Sequence, residues 1–143
     1  MELTEPHSEE EFAQYYELRW KILRHPWGQP RGSEKDEREK ESIHQMAVEE
    51  GQVVGVGRGH LNTPDDAQIR YMAVKEDIRG KGIGGAILEN LERKLVEFGA
   101  KTIVLNAREN AVPFYKKHGY EVVGKSHTLF GEIAHKKMVK KLQ

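Results

Sequence analysis

"VKEDIRGKGIGGAILENLERKL", residues 74–95, sets a cluster of glycines against the start of a long amphipathic run. Gly80, Gly82, Gly84 and Gly85 fall within six residues, and Arg79 and Lys81 stand among them. Downstream, Ile83, Ile87, Leu91 and Leu95 recur every fourth residue, with Leu88 and Phe98 beside them. That spacing predicts a helix from Gly82 to Phe98 with one buried stripe, stopped by Gly99. Glycine is about 1 kcal/mol worse than alanine in a helix, so a run of them at a helix start needs a use. "AQIRYMAV" (67–74) reads as a strand before the loop, and "KTIVLNA" (101–107) as a β-branched strand after the helix. A helix N-terminus carries unpaired N–H groups and about half a positive charge. Glycines let an anion approach those amides and permit the φ values that an anion-binding nest requires. The loop is therefore expected to hold a phosphate, with Arg79 and Lys81 adding charge. The competing reading is that the glycines only allow close helix–strand packing.

Two common phosphate loops do not fit. A P-loop needs Gly-Lys-Ser/Thr, and Lys81 is followed by Gly82. The dinucleotide fingerprint G-x-G-x-x-G is not met, and the strand after the helix ends in Leu105-Asn106-Ala107 without the acidic residue that would hold ribose.

The chain of 143 residues has the length of one domain, expected to span 1–143. Its 23 basic and 23 acidic side chains balance, which argues against general nucleic-acid binding. No apolar run approaches ~18 residues, and "MELTEPHSEEEF" lacks an apolar core, so neither a membrane span nor a signal peptide is expected. Cysteine is absent, which excludes disulfides, thiolate metal sites and a thiol nucleophile. These features lead to the expectation of a cytoplasmic protein without metal.

Elsewhere, Phe12, Tyr15, Tyr16, Ile22 and Leu23 mark a helix over 9–24, broken by "HPWGQPRG". "SEKDEREKE" (33–41) mixes five acids with three bases. It reads either as a solvated helical face or as an acidic lip for a cationic substrate. "HQMAVEEGQVVGVGRGHL" (44–61) is a hairpin turning at Glu50-Gly51, and "TPDD" is a turn. "NAVPFYKKHGY" is a short helix closed by Gly119, and "YEVVGK" and "HKKMVKKL" are two last strands.

Arg79-Gly80-Lys81-Gly82-Ile83-Gly84 resembles the R-x-x-G-x-G/A pyrophosphate signature of the GNAT superfamily of N-acetyltransferases. "NAVPFYKKHGYEVVG" resembles that family's second signature. "LNARENAVPFYKKHGY" and "GEIAHKKM" are similar to the ElaA/YjcF-like bacterial branch, so the likeness covers nearly the whole chain. The resemblance implies an α+β fold: a mixed, mostly antiparallel central sheet of six to seven strands with a splayed, bulged central pair, flanked by about four helices. It also implies acetyl-CoA as cosubstrate. The backbone of Met72, Ala73 and Val74 would bond the pantetheine arm, Arg79 through Gly85 (with Lys81 and Ile83) would hold the pyrophosphate, and Tyr115 would protonate the leaving thiolate. Two departures stand out. Arg108 occupies the place where many relatives carry a coenzyme-binding Asn, leaving Asn106 and Asn110 as flanking candidates. The fourth strand, Gln68-Ile69-Arg70-Tyr71, lacks the glutamate base of some relatives.

Acetyl transfer by direct attack of an amine on a thioester needs no side-chain nucleophile. It does need a neutral amine, and a lysine-like amine of pKa ~10.4 is almost wholly protonated at pH 7. His60 and His135 are the leading candidates for the base, beside His44, Glu34, Glu41 or a held water. Tyr115 has a competing reading as a core residue, and Trp20 and Trp27 as packing residues or pocket walls. The expected function is transfer of an acetyl group to an unspecified small-molecule or peptidyl amine by a monomer or homodimer. The alternative is a non-catalytic acetyl-CoA-binding sensor. The lysines of "HKKMVKKL" lack the aromatic residues of a nucleic-acid site, so no nucleic-acid or membrane partner is expected.

Overall fold

The computed structural model describes residues 1–142. Ten elements follow in order: β1 (Glu2–Thr4), α1 (Glu9–Leu23), β2 (Ile43–Glu49), β3 (Gln52–Leu61), β4 (Asp66–Val74), α2 (Ile83–Glu97), β5 (Thr102–Arg108), α3 (Val112–Lys117), β6 (Glu121–Leu129) and β7 (Ile133–Lys141). The strands form one sheet in the order β1-β2-β3-β4-β5-β7-β6. Every pairing is antiparallel except β4 with β5. Three α-helices are present among the described residues rather than about four. Of the stretch 33–41, only Glu39–Glu41 is helical, as a single 3-10 turn. β1, which pairs with Met46–Val48, was not anticipated from sequence. Among the described residues no helix is long and apolar enough to cross a membrane.

α1 starts with a capping box. The Ser8 hydroxyl accepts the Glu11 N–H at 3.0 Å, and the Glu11 carboxylate accepts the Ser8 N–H at 3.0 Å. Its buried side, Tyr15, Leu18 and Leu23, packs with Met46, Val56, Tyr71 and Ala73 on one face of the sheet. α2 covers the other face. There Ile87, Leu88, Leu91 and Leu95 are fully buried, each contributing roughly 1.5–3 kcal/mol.

β3 is shaped for α2. Its glycines at 55, 57 and 59 leave one face bare, since a strand turns every second residue the same way. A Cβ at Gly55 would come within 2.7 Å of the Ile87 side chain, and one at Gly57 within 2.8 Å. The helix therefore lies close on the strand, and its N-terminus lies beside Val74 at the end of β4, 3.5 Å from a Cβ placed at Gly84.

Two features break the middle of the sheet. Gly57 of β3 faces both Tyr71 and Met72 of β4, a bulge in which Tyr71 adopts φ +59°. A left-handed conformation costs a non-glycine residue about 1–2 kcal/mol. The guanidinium groups of Arg19, Arg70 and Arg58 stand 4.3, 4.4 and 4.9 Å from the Tyr71 ring centroid and offset that cost. In addition, β4 and β5 pair only over Asp66–Gln68 and Thr102–Val104. Beyond that the two strands part, and a wedge opens between them.

Candidate active site

The wedge leaves backbone groups of β4 without a strand partner on one side. The Lys75 N–H donates to the Val54 carbonyl of β3 at 2.8 Å. By the alternation of a strand, the N–H and C=O of Val74 and Met72 then face the gap. The Val74 carbonyl accepts from Arg79 Nε at 3.1 Å.

The glycine loop closes one end of the gap. Gly80 and Gly82 adopt φ +88° and +81°, and Gly82 caps α2. A Cβ at either position would meet nothing within 4 Å, so glycine is required there for conformation and not for space. Gly84 and Gly85 are ordinary helix residues that face Phe114 and His118 respectively, at 3.4 and 3.0 Å from a Cβ placed there. Backbone conformation therefore calls for glycine at 80 and 82, and close packing at 84 and 85. The first bond of α2 runs from the Ala86 N–H to the Gly82 carbonyl. The amides of Ile83, Gly84 and Gly85 have no protein acceptor among the described residues. They open onto a groove of about 770 Å³ lined by Met72, Ala73, Val74, Arg79, Gly80, Gly82–Ala86, Asn110, Phe114 and Tyr115, among others. Lys81 is exposed and does not line this groove.

The other end of the wedge is a smaller cavity of about 300 Å³. Arg24, Arg70, Asn106, Arg108, Tyr115, His127 and His135 are among its walls. Met72, Arg108 and Tyr115 line both spaces, so the groove and the cavity meet beside them. Burial pushes the Tyr115 hydroxyl well above the usual phenol range, which keeps its proton in place at neutral pH. The His135 Nδ1–H donates to the Ile133 carbonyl at 2.9 Å, which leaves Nε2 as an acceptor. Burial lowers the His135 pKa, and neighbouring His127, stacked at 4.5 Å, adds to the shift. Both effects favour the neutral imidazole.

The remaining candidates are dispersed. His60 is buried away from both spaces, with Nδ1 3.4 Å from an Arg58 nitrogen and Nε2 3.0 Å from Asn62 Oδ1. His44 is fixed between Tyr15 and the Glu39 carbonyl. Asn106 lies on the cavity side, where its Oδ1 accepts from Ser126, and Asn110 lies in the groove. Trp20 donates from Nε1 to the Gln29 carbonyl, and neither Trp20 nor Trp27 lines the cavity or the groove. Among the described residues no group of three or more His, Cys, Asp or Glu could hold a metal ion.

The acidic stretch is neither a solvated helical face nor a free lip. Asp36 pairs with the fully buried Arg58 at 2.6 Å and with Arg70 at 2.9 Å. Glu39 pairs with Arg58 at 2.7 Å and with the fully buried Arg19 at 3.0 Å. These carboxylates tie the 33–41 segment to β3, β4 and α1. Burial alone would raise the Asp36 carboxyl, but hydrogen bonds from Arg58 and the Arg38 amide hold it well below the usual range. Glu39 is lowered in the same way, against burial, mainly by Arg19. In the unfolded chain the two titrate near 3.8 and 4.5. Their contribution to stability is therefore present above about pH 4.5 and is lost as pH falls through the lower folded values. Thermal melts should fall steeply below pH 4, and Asp36→Asn should flatten that slope. An unaltered slope would remove Asp36 from the account.

The family model described as Acetyltransferase (GNAT) family matches residues 12–120. The chain belongs to the GNAT acetyltransferase family. YjcF of Bacillus subtilis (strain 168), described as an uncharacterized N-acetyltransferase, is 33% identical over 133 residues, which is 93% of this chain and 94% of that protein. Two solved structures share the GNAT fold at lower identity. An aminoglycoside 6'-N-acetyltransferase complexed with coenzyme A superimposes with a TM-score of 0.84 at 19% identity, covering 100% of this chain and 98% of the other. Escherichia coli ElaA gives 0.79 at 17% identity, covering 98% and 99%. The bulged β4, its splay from β5 and the glycine-started α2 are thus this GNAT chain's version of a shared architecture.

Proposed function

We propose that this GNAT-family protein moves an acetyl group from acetyl-CoA to a primary amine by direct attack on the thioester. The observation that carries the reading is the meeting of two spaces at Tyr115: one floored by free helix amides, the other walled by a neutral imidazole.

The donor groove fits a pantetheine diphosphate. Open space at Gly80 and Gly82, three unpaired amides and Arg79 suit the pyrophosphate. The backbone groups of Met72 and Val74 that face the gap suit the amide-rich arm. An N–H freed there by the bulge can meet the negative charge that develops on the carbonyl oxygen, a contact typically worth about 3 kcal/mol. Holding amine and thioester together contributes several kcal/mol more.

Deprotonating a lysine-like amine at pH 7 costs about 4.6 kcal/mol, at 1.36 per pH unit. His135 Nε2, directly or through a water, is the acceptor we assign. His60 lines neither space, and its Nε2 is 3.0 Å from Asn62 Oδ1. Tyr115 gives its proton to the departing thiolate. Asn110 and Arg108 border the coenzyme groove, and Asn106 borders the acceptor side.

Free-thiol release from acetyl-CoA over a panel of amines tests this reading. Amine-dependent release supports transfer, and tight binding without release favours the sensor. Tyr115→Phe should lower kcat at least about tenfold, that is 1.4 kcal/mol of barrier, with little change in coenzyme affinity. Undiminished turnover would remove the acid role.

A further inference from the structure

We propose that the acceptor amine carries an anionic group, a carboxylate or a phosphate, held by Arg24 and Arg108. This rests on the transferase reading and names the substrate class of the cavity between β4 and β5. No aspartate or glutamate lines that cavity, whereas three arginines do. The Arg70 charge is already matched by Asp36. Arg24 and Arg108 make no ion pair among the described residues, although Arg24 is only 6% exposed.

Their geometry is convergent. One Arg24 Nη and one Arg108 Nη donate to the same acceptor, the Leu23 carbonyl, at 3.1 and 3.2 Å. Arg24 Nε donates to the Ser33 carbonyl, and its guanidinium stands 5.6 Å from the Tyr71 ring centroid and 5.4 Å from that of Phe130, with no carboxylate beside it. Two guanidinium groups are thus drawn together in a largely desolvated corner with no counter-charge. Burial lowers the pKa of both, and Arg24 lowers that of Arg108 further. Buried charge of this kind calls for an anion, and a guanidinium pair matches carboxylate or phosphate oxygens with parallel N–H bonds.

The anion belongs to the acceptor and not to the coenzyme diphosphate. Arg24 lines the small cavity and not the groove that holds the glycine loop, whereas Arg108 lines both, so Arg24 fixes the side on which the pair holds its anion. A volume of about 300 Å³ suits an amine of amino-acid size. A polyamine would place further positive charge against three arginines. No acid of 33–41 lines the cavity to compensate it, and Asp36 and Glu39 are already paired with Arg19, Arg58 and Arg70.

Matched amines that differ in the anion test the assignment. Thiol release is measured with 4-aminobutyrate against n-butylamine, with 2-aminoethyl phosphate against ethanolamine, and with spermidine. The anionic member of at least one pair should show a kcat/KM at least tenfold higher, and the pair with the larger ratio identifies carboxylate or phosphate. In Arg24→Gln and Arg108→Gln that ratio should fall toward one, mainly through KM. A merely structural role would depress both members alike and keep the ratio, which overturns the proposal. Preference for the neutral amines or spermidine also overturns it and leaves acetyl transfer standing. If no amine releases thiol, the transferase reading fails, and calorimetric titration of the coenzyme-A-loaded protein decides. Heat with 4-aminobutyrate or 2-aminoethyl phosphate but not with their neutral partners upholds the anion site. Equal heats or none overturn it.

Discussion

Gly82→Val should weaken coenzyme A binding at least about tenfold, measured by calorimetric titration. Gly82 holds φ +81° as the cap of α2. A β-branched residue there is a genuine conformational outlier, and the strain of about 1–2 kcal/mol or more is relieved only by moving the loop. Movement turns the free amides of Ile83 and Gly84 away from the diphosphate. Charge-assisted hydrogen bonds are worth about 1.5–3 kcal/mol each, so misaligning one accounts for a tenfold to hundredfold loss. A Cβ at this position meets no protein atom, so the core has no reason to come apart. Gly84→Ala is the matched control. It sits at an ordinary helical position with 3.4 Å to Phe114, and its effect should stay within a few-fold.

Asp36→Ala should destabilise the fold by roughly 3–5 kcal/mol, read from denaturant melts. Arg58 is fully buried and Asp36 supplies two of its hydrogen bonds, at 2.6 and 3.0 Å. Removing one partner of a buried pair leaves the other charge uncompensated, which is the costly case. Glu39 still faces Arg58, so the loss is not total. Arg70 is released as well, and with it one wall of the smaller cavity. A change under about 1 kcal/mol would mean that the network is a solvated surface feature.

Local pattern carried most of the fold. The four-residue recurrence from Ile83 to Leu95 defined α2, and Glu50-Gly51 defined the β2–β3 hairpin. The phosphate-loop resemblance already distinguished a strict glycine at Gly82 from a glycine-or-alanine place at Gly84. The backbone gives the reason, positive φ at the first and helical geometry with room at the second. β7 begins at Ile133, two residues before the expected start, and β6 runs on to Leu129. The turn between them has positive φ at Phe130 and Gly131.

What failed was long-range. Asp36 and Glu39 look like surface charge in sequence because their partners, Arg19 and Arg58, lie about twenty residues away. A fully buried arginine has no local signature. β1 was hidden by its shortness, three residues whose pairing depends on the register of β2. One missed signal was present: the every-second-residue glycines of "GVGRG" on a strand announce a face kept bare for a helix. The different surroundings of His135 and His60 could not be read from sequence, because both are buried histidines on strands and only the wedge makes His135 line the smaller cavity.

The central claim is that a diphosphate docks on the open amides at the start of α2, and it is tested most directly by titrating the unaltered protein with coenzyme A and with pantetheine. The two ligands share the arm that β4 would bond and differ in the nucleotide and its diphosphate. The account predicts that coenzyme A binds at least about a hundredfold more tightly, the equivalent of about 2.8 kcal/mol. Equal affinities, or no heat with either ligand, would contradict it.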